Sequence, residues 1–302
     1  MLLFVAFYAD CVGAAAIGAQ LSESDREYLV QSCSGAGFDA VYLEQVFADS
    51  RVRFIPGLVR SNIVNKEYAA SYKRFLKPVA IGMAKRFARK WRTRLDNVGK
   101  AAGVDPEVVV AILLVETSLG QYLGSEPVTS IFASLVLENH GERRKAFGRR
   151  LEGSPDRDRM LQRLEAKASW ARKELRALLA MHQQRNIDIF SLKGSYAGAF
   201  GIPQFLPSSY LQWGADGDRS NSVDLFYVPD AIVSVGSYLK AHGWQPGLDH
   251  EANRKAIWQY NHSRVYVDTV LAVAKRLRDV TADQVADSSS PRHTSGSQSC
   301  IN

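Results

Sequence analysis

Between Ser22 and Val280 the apolar residues return every three or four positions and seldom alternate. That is the period of helices with a buried face, so a mainly α fold with few or no strands is expected. One helix is marked at both ends. Asp105 is a favourable N-cap, Pro106 suits the first helical position, and Gly120 suits a stop after the apolar run from Val108 to Leu119. The same spacing predicts helices over 24–33, 66–92, 159–184, 229–242 and 265–279. Irregular segments are expected over 121–130, 139–157, 186–222 and 243–254, where Gly, Pro, Ser and Asn gather. The Ser-rich residues 283–302 have the composition of a disordered tail. No internal repeat is present.

With 302 residues, 46% of them hydrophobic, the chain can fill a sizeable core. The formal charge of +7 favours a polyanionic partner, whether nucleic acid, anionic membrane or an acidic wall polymer. Much of the excess lies between Lys85 and Arg94. This run reads more readily as the solvated face of an amphipathic helix than as a nucleic-acid stripe, because no reading motif accompanies it. The three cysteines, Cys11, Cys33 and Cys300, show no metal-type spacing and exclude a disulfide framework, leaving Cys33 and Cys300 to pair or stay free. Residues 1–20 join an apolar stretch, Leu2–Phe7, to a small-residue run from Gly13 to Gln20. This reads as an export signal that lacks a basic start, with a buried N-terminal helix as the alternative. Elsewhere no apolar run approaches the roughly 20 residues that span a bilayer. The expected localisation is therefore exported, in the periplasm or cell envelope, with a lipid anchor left open.

Three segments carry chemistry. Val109, Ile112, Leu113 and Glu116 are spaced i, i+3, i+4, i+7, which sets a carboxylate in line with an apolar stripe on one helix face. Burial there raises a carboxyl pKa toward that of a general acid, although a Glu at a helix end can also reach solvent. The segment from Gly194 to Tyr210 mixes small residues, which let a ligand approach the backbone, with Ser195, Gln204 and tyrosines that offer hydrogen bonds and stacking faces. Close helix packing explains the small residues equally well. The third segment, Tyr260 to Tyr266, is a polar, aromatic turn suited to carbohydrate or to packing. A fourth pattern, Asp216-Gly217-Asp218-Arg219-Ser220-Asn221-Ser222, places oxygen side chains at alternate positions in the manner of an EF-hand loop. Arg219, Asn221 at the sixth position and Tyr227 at the twelfth depart from that pattern, so a metal-free polar turn stands beside it.

Together these segments resemble the lytic murein transglycosylase B family, of elaborated lysozyme-like α fold. Val115-Glu116-Thr117 followed by Gly120, then Gly194 to Tyr210, then Tyr260-Asn261-His262-Ser263-Arg264-Val265-Tyr266 match that family's motifs in order and character, over roughly residues 60–280. The resemblance implies that Glu116 is the sole catalytic carboxylate and that Ser195 and Gln204 line the site. It further implies that Tyr260, Asn261 and Tyr266 line the sugar groove and that Arg143 and Arg144 match a basic pair holding saccharide or peptide. The Asp216–Ser222 loop would be closed by Asp230, so that Asp216, Asp218, Ser220, Ser222 and Asp230 become ligands for a structural Ca²⁺. Two departures stand out: Ser118-Leu119 occupies a place where Arg-Trp is common, and only some fifteen residues separate Trp244 from Tyr260 where the family usually carries a long insertion.

The division expected is a signal segment at 1–20, an N-terminal helical part of the α domain at 21–95, a lysozyme-like core at 96–282 and the tail. The implied activity is non-hydrolytic cleavage of the N-acetylmuramic acid to N-acetylglucosamine β-1,4 bond of peptidoglycan to 1,6-anhydromuropeptides. It needs no cofactor for the chemistry. Peptidoglycan strands are the expected partner, nucleic acid is not, and association with other cell-wall enzymes is left open. A hydrolytic muramidase would share Glu116, and a non-catalytic peptidoglycan-binding protein would keep Gln204 and the tyrosines.

Overall fold

In the computed structural model, which describes residues 18–35, 37–58 and 69–288, one helix is buried on every side. This is α5, Pro106–Thr117, in which each residue from Val108 to Thr117 is buried. The sequence predicted one apolar stripe; the structure instead surrounds the helix, as an all-round apolar run requires. Packed around it are α3 (Pro78–Lys90), α4 (Arg92–Ala102), α10 (Val228–Ala241) and α12 (Arg264–Ser288), with α11 (Glu251–Tyr260) lying against α12. A second group is built on α6 (Val128–Glu138), whose residues Val128 to Leu137 are all buried. It packs against the long α8 (Arg157–Arg185), with α1 (Glu23–Cys33), α2 (Ala40–Ala48) and α7 (Gly141–Arg149) completing that side. Helix α9 (Pro207–Trp213) touches both α8 and α10 and joins the two groups.

Strands are few, as expected. β1 (Ala19–Gln20) pairs antiparallel with β2 (Arg53–Phe54), and β3 (Glu126–Pro127) pairs antiparallel with β4 (Lys193–Gly194). Of the expected signal segment, residues 1–17 lie outside the described residues, while Ala19 and Gln20 form β1. Within 21–95, α1 lies on α6 and α8, α2 packs on α1 and reaches α8 through the Tyr42 hydroxyl, and α3 lies on α5 and α12.

Several predicted boundaries move for identifiable reasons. The stretch 66–92 is broken at Lys77, which is extended (ψ 150°) because Pro78 disfavours the helical region for the residue before it. Ahead of the break lie a helical turn, Ala69–Tyr72, and a 3-10 turn, Lys73–Leu76. α6 begins inside a segment expected to be irregular, and its hydroxyl residues are interior connectors. Thr129 donates to Ile189 O (2.6 Å), while Ser130 and Ser134 accept the N–H groups of Arg53 and Ile55 at 3.0 and 2.9 Å. α7, α9 and the start of α11 likewise fall in expected loops. Helix α12 continues to Ser288, past the expected tail boundary; residues 289–302, including Cys300, lie outside the described residues, and Cys33 is buried with no disulfide partner among the described residues.

Asp105 occupies the N-cap of α5, yet its side chain caps nothing. It accepts hydrogen bonds from Trp244 Nε1 and Gly247 N, each 2.9 Å, and from Arg278 at 2.5 Å, so it ties α12 and the 244–247 loop to the start of α5. The basic run 85–94 crosses from α3 into α4 with Arg86, Arg89, Lys90 and Arg92 exposed, which is a solvated face.

Candidate active site

The central helix ends in an unusual turn. Thr117 is its last residue, three positions before the predicted stop at Gly120, and Ser118, Leu119 and Gly120 all take left-handed φ values of 50°, 64° and 92°. Left-handed backbone costs an ordinary L-residue about 1–2 kcal/mol, so surrounding contacts must hold it. Ser118 N and Leu119 N donate to Leu114 O and Leu113 O, each at 2.9 Å, and the Thr117 hydroxyl donates to Ile202 O (2.8 Å) and accepts from Gly120 N (3.0 Å). Ile202 N in turn donates to Leu225 O at 2.8 Å. The helix end is thereby fastened to the second motif.

That motif is a compact meander. β4 leads into a turn closed by Ser195 N to Ala199 O (2.8 Å), and Phe200 and Phe205 exchange backbone hydrogen bonds of 2.9 and 3.0 Å. Close approach explains its small residues. A Cβ on Gly198 would lie 2.3 Å from the Phe132 ring of α6, and one on Gly194 would lie 2.2 Å from Ala199 O. Gln204 itself is left-handed, φ 51°, and its amide donates to Gly201 O (3.0 Å) and Leu123 O (3.2 Å). Ser195 is 3% exposed, and its hydroxyl has no hydrogen-bond partner among the described residues. An unsatisfied buried hydroxyl is costly, which is tolerable where a ligand will satisfy it.

Glu116 is 5% exposed. Its Oε1 accepts a 2.6 Å hydrogen bond from the Tyr266 hydroxyl at the start of α12. Burial pushes its carboxyl up to about 8, and the Tyr266 hydroxyl opposes this only in part. Among the described residues no second carboxylate perturbs it. Tyr266 is fully buried and stacks on Tyr260, whose hydroxyl donates to Pro203 O at 2.5 Å. Tyr260 also packs against Phe205 and Tyr238. Helix α5 and the 260–266 turn therefore meet at one carboxyl group whose burial favours its protonated form, and the meander is bonded to both through Thr117 and Tyr260.

Next to this network is an open depression of about 240 Å³, lined by Gln204, Ser208, Trp213, Tyr238, Tyr260 and His262 among others. Tyr238, Trp213 and His242 form a stacked and edge-on aromatic group there. The sequence did not mark these three, because they stand singly on α9 and at the end of α10, outside any local motif. Asn261 and Tyr266 are buried at 1% and 0% exposure. Tyr266 thus supports Glu116 from beneath.

Arg143 and Arg144 are occupied elsewhere. Arg143 makes a two-pronged ion pair with Asp25 and lies 4.3 Å from the centre of the Phe54 ring, while Arg144 binds Asn139 and pairs with Glu165 at 3.7 Å. Asp25 is buried, but Arg143 and Ser22 outweigh that burial and hold its carboxyl below the usual range.

The acidic loop does converge. Carboxylate oxygens of Asp216, Asp218 and Asp230 lie within 4.8 Å of one another. Asp216 accepts the backbone N–H groups of Asp218, Arg219, Ser220 and Asn221 at 2.6–3.2 Å, and Asp230 accepts those of Gly217 (2.9 Å) and Asp224 (2.7 Å). The Ser220 and Ser222 hydroxyls bond each other at 3.1 Å. Burial, followed by the neighbouring Asp218 and Asp216 charges, raises Asp230, a strain that a divalent cation would relieve.

Residues 22–253 match the model of the transglycosylase SLT domain. The chain belongs to this family. It is 28% identical over 233 residues to the membrane-bound lytic murein transglycosylase B of Escherichia coli K12, a match covering 74% of the chain but only 58% of that relative. The fold of this transglycosylase-family chain is shared with the E. coli lytic transglycosylase Slt35 in complex with calcium (TM-score 0.68, 22% identity, 88% of this chain and 96% of that one). It is shared equally with Pseudomonas aeruginosa SltB3 in complex with NAG-anhNAM-pentapeptide (TM-score 0.67, 21% identity, 85% and 79%).

Proposed function

We propose that this chain is a lytic transglycosylase that cleaves the bond between N-acetylmuramic acid and N-acetylglucosamine in peptidoglycan and leaves 1,6-anhydromuramoyl ends. The observation that carries the reading is Glu116: a single buried carboxyl, raised to about 8, hydrogen-bonded by Tyr266, with no second carboxylate acting on it among the described residues. Ordinary glycosidases divide acid and nucleophile or base between two carboxyl groups. Here one group serves in succession.

Protonated Glu116 gives its proton to the glycosidic oxygen as the C1–O bond breaks, and the acetamido oxygen of the muramoyl residue bonds to C1. Glu116, now a carboxylate, takes the proton of the C6 hydroxyl of the same residue. O6 then bonds to C1 and displaces the acetamido oxygen, which closes the anhydro ring and restores the acid. The intramolecular attack benefits from the high effective concentration of O6. Tyr266 stabilises the carboxylate form between the two steps, while Ser195 and Gln204 bind the sugar. The SltB3 complex, which holds an anhydro sugar, supports the same product class for a related fold.

The experiment is a turbidity assay on purified peptidoglycan. Glu116→Gln, which keeps the side-chain shape but cannot exchange a proton, is expected to lose activity by at least about a thousandfold with the fold unchanged. Substantial turnover in that variant would refute the assignment.

A peptidoglycan substrate supports a location outside the cytoplasm, in the periplasm or envelope. Among the described residues no helix is long and apolar enough to cross a membrane. We also propose that the Asp216, Asp218 and Asp230 cluster, with Ser220 and Ser222 beside it, holds a structural Ca²⁺ that takes no part in the chemistry. The convergence of the three carboxylates supports this, and the structure of Slt35 with calcium does so for a related fold.

A further inference from the structure

A second depression lies just beyond the aromatic one, and its chemistry is different. About 290 Å³ in volume, it is lined by Arg254, Lys255, Trp258, Arg264 and Val267. Positions 254, 255 and 258 share one face of α11, roughly opposite Tyr260, which packs inward on Tyr266. Arg264 is the first residue of α12. The two depressions share a wall. His262 lines the first, Trp258 lines the second, and their rings meet edge-on with centroids 5.3 Å apart. Trp258 therefore stands between His262 of the first depression and the cations of the second.

The cations are incompletely matched. Arg254 shares Asp268 at 2.5 Å, Lys255 stands 3.9 Å from Glu251, and Arg264 forms no ion pair among the described residues. Three positive side chains thus border the pocket, with only solvent-exposed acids beside them. Guanidinium groups hold carboxylates in a two-pronged geometry, and an indole face takes the methyl and methylene groups between successive carboxylates. Arg143 and Arg144, the pair the resemblance assigns to saccharide or peptide, are committed to Asp25 and to Asn139 and Glu165.

We infer that the Arg254, Lys255, Trp258 and Arg264 pocket binds the carboxylates of the stem peptide that hangs from the muramoyl residue. This rests on the peptidoglycan reading above. The lactyl ether of that sugar carries a short peptide with free carboxylates spaced by small aliphatic groups, which is the pattern of charge and apolar contact the pocket offers. Stem recognition orients the glycan relative to Glu116, so it contributes to substrate choice and not to the bond-breaking step.

The test uses the full chain carrying Glu116→Gln, which binds without turnover. Its affinity is measured calorimetrically for soluble glycan strands bearing uncrosslinked stems and for strands stripped of stems by an amidase. Stem-bearing strands are expected to bind the parent more tightly. Adding Arg254→Gln and Arg264→Gln should weaken that binding by about tenfold, with stem-free strands changed less than about twofold. The stem-dependent advantage should also shrink as salt rises from 0.05 to 0.5 M. If the double variant melts early, the single Arg264→Gln change at an exposed helix start carries the comparison. Unchanged affinity for stem-bearing strands overturns the proposal, as does an equal loss on both substrates, which would mark a general electrostatic effect. Binding of stem-free strands to the parent keeps the two readings apart, because it persists if only the stem pocket is wrong and is absent if the glycan assignment is wrong.

Discussion

Glu116 sits in an environment that disfavours its charge, and this has consequences for both rate and stability. Because its folded pKa is about 8, the acid form needed for the first step disappears as pH rises through 8, so kcat/KM should fall on the alkaline side with that midpoint. Tyr266→Phe removes the hydroxyl that lowers the Glu116 pKa. The alkaline limb should then move to higher pH while the rate falls, and a pH profile of both proteins checks this. The stability effect has the opposite sense to that of a salt-bridged carboxylate. The folded state holds the proton between the unfolded value of 4.5 and about 8, so stability is lost as pH rises across that window. Glu116→Gln avoids this cost. It should be more stable than the parent at pH 8, by an amount on the order of 4–5 kcal/mol at most, and match it near pH 4. Equal melting temperatures at both pH values would show that Glu116 is not strained. The burial of Glu116 was legible in the sequence from its register with apolar neighbours, whereas a catalytic role is implied only by the family resemblance. Its partner Tyr266 was read as groove lining, since spacing alone cannot say whether a tyrosine faces solvent or a neighbouring helix.

At the scale of elements, the end of α5 is held by the backbone bonds of Ser118 N to Leu114 O and Leu119 N to Leu113 O, each 2.9 Å, and by the Thr117 hydroxyl, which ties it to the meander. Thr117→Val keeps the shape but removes the bonds to Ile202 O and Gly120 N, leaving Ser118 and Leu119 in left-handed backbone without that clamp. A loss of about 1–3 kcal/mol in urea unfolding is expected, with a fall in lytic rate because Glu116 precedes the clamp directly. No stability change would mean that the backbone bonds of the turn and its packing hold it without the hydroxyl. The acidic loop gives a second element-scale test. If it binds Ca²⁺ at the weak end of the EF-hand range, roughly 10⁻⁴ to 10⁻³ M, then about 10 mM Ca²⁺ raises the melting temperature and Asp216→Ala or Asp230→Ala abolishes the rise. A melting curve unchanged between chelator and Ca²⁺ removes the ion from the account. The long apolar helices were readable from periodicity. α6 was not, because Thr129, Ser130 and Ser134 look like loop residues locally, yet they use their hydroxyls to join β2 and the segment at Ile189. Asp105 was placed correctly at a helix start but given the wrong duty, since its partners Trp244, Gly247 and Arg278 are more than a hundred residues away.

For the molecule as a whole, two helical groups, one around α5 and one around α6, are joined by α9 and by the 194–206 meander, and Glu116 lies where the meander meets the first group. The mainly α class followed from the apolar period, and the resemblance to the family rested on three motifs of which Gly194 to Tyr210 is the long and specific one. What the sequence could not supply was the aromatic lining from Trp213, Tyr238 and His242, or the engagement of Arg143 with Asp25, since both depend on which helices become neighbours. The central claim is that one buried carboxyl acts first as acid and then as base, so that O6 of the substrate and not water closes the reaction. The most direct measurement is mass spectrometry of the muropeptides released when the purified chain digests peptidoglycan. The account predicts products lighter by one water than the reducing muropeptides, with no reducible end and no incorporation of labelled oxygen from H₂¹⁸O. Reducing ends that carry the label would contradict it and make the enzyme a hydrolase.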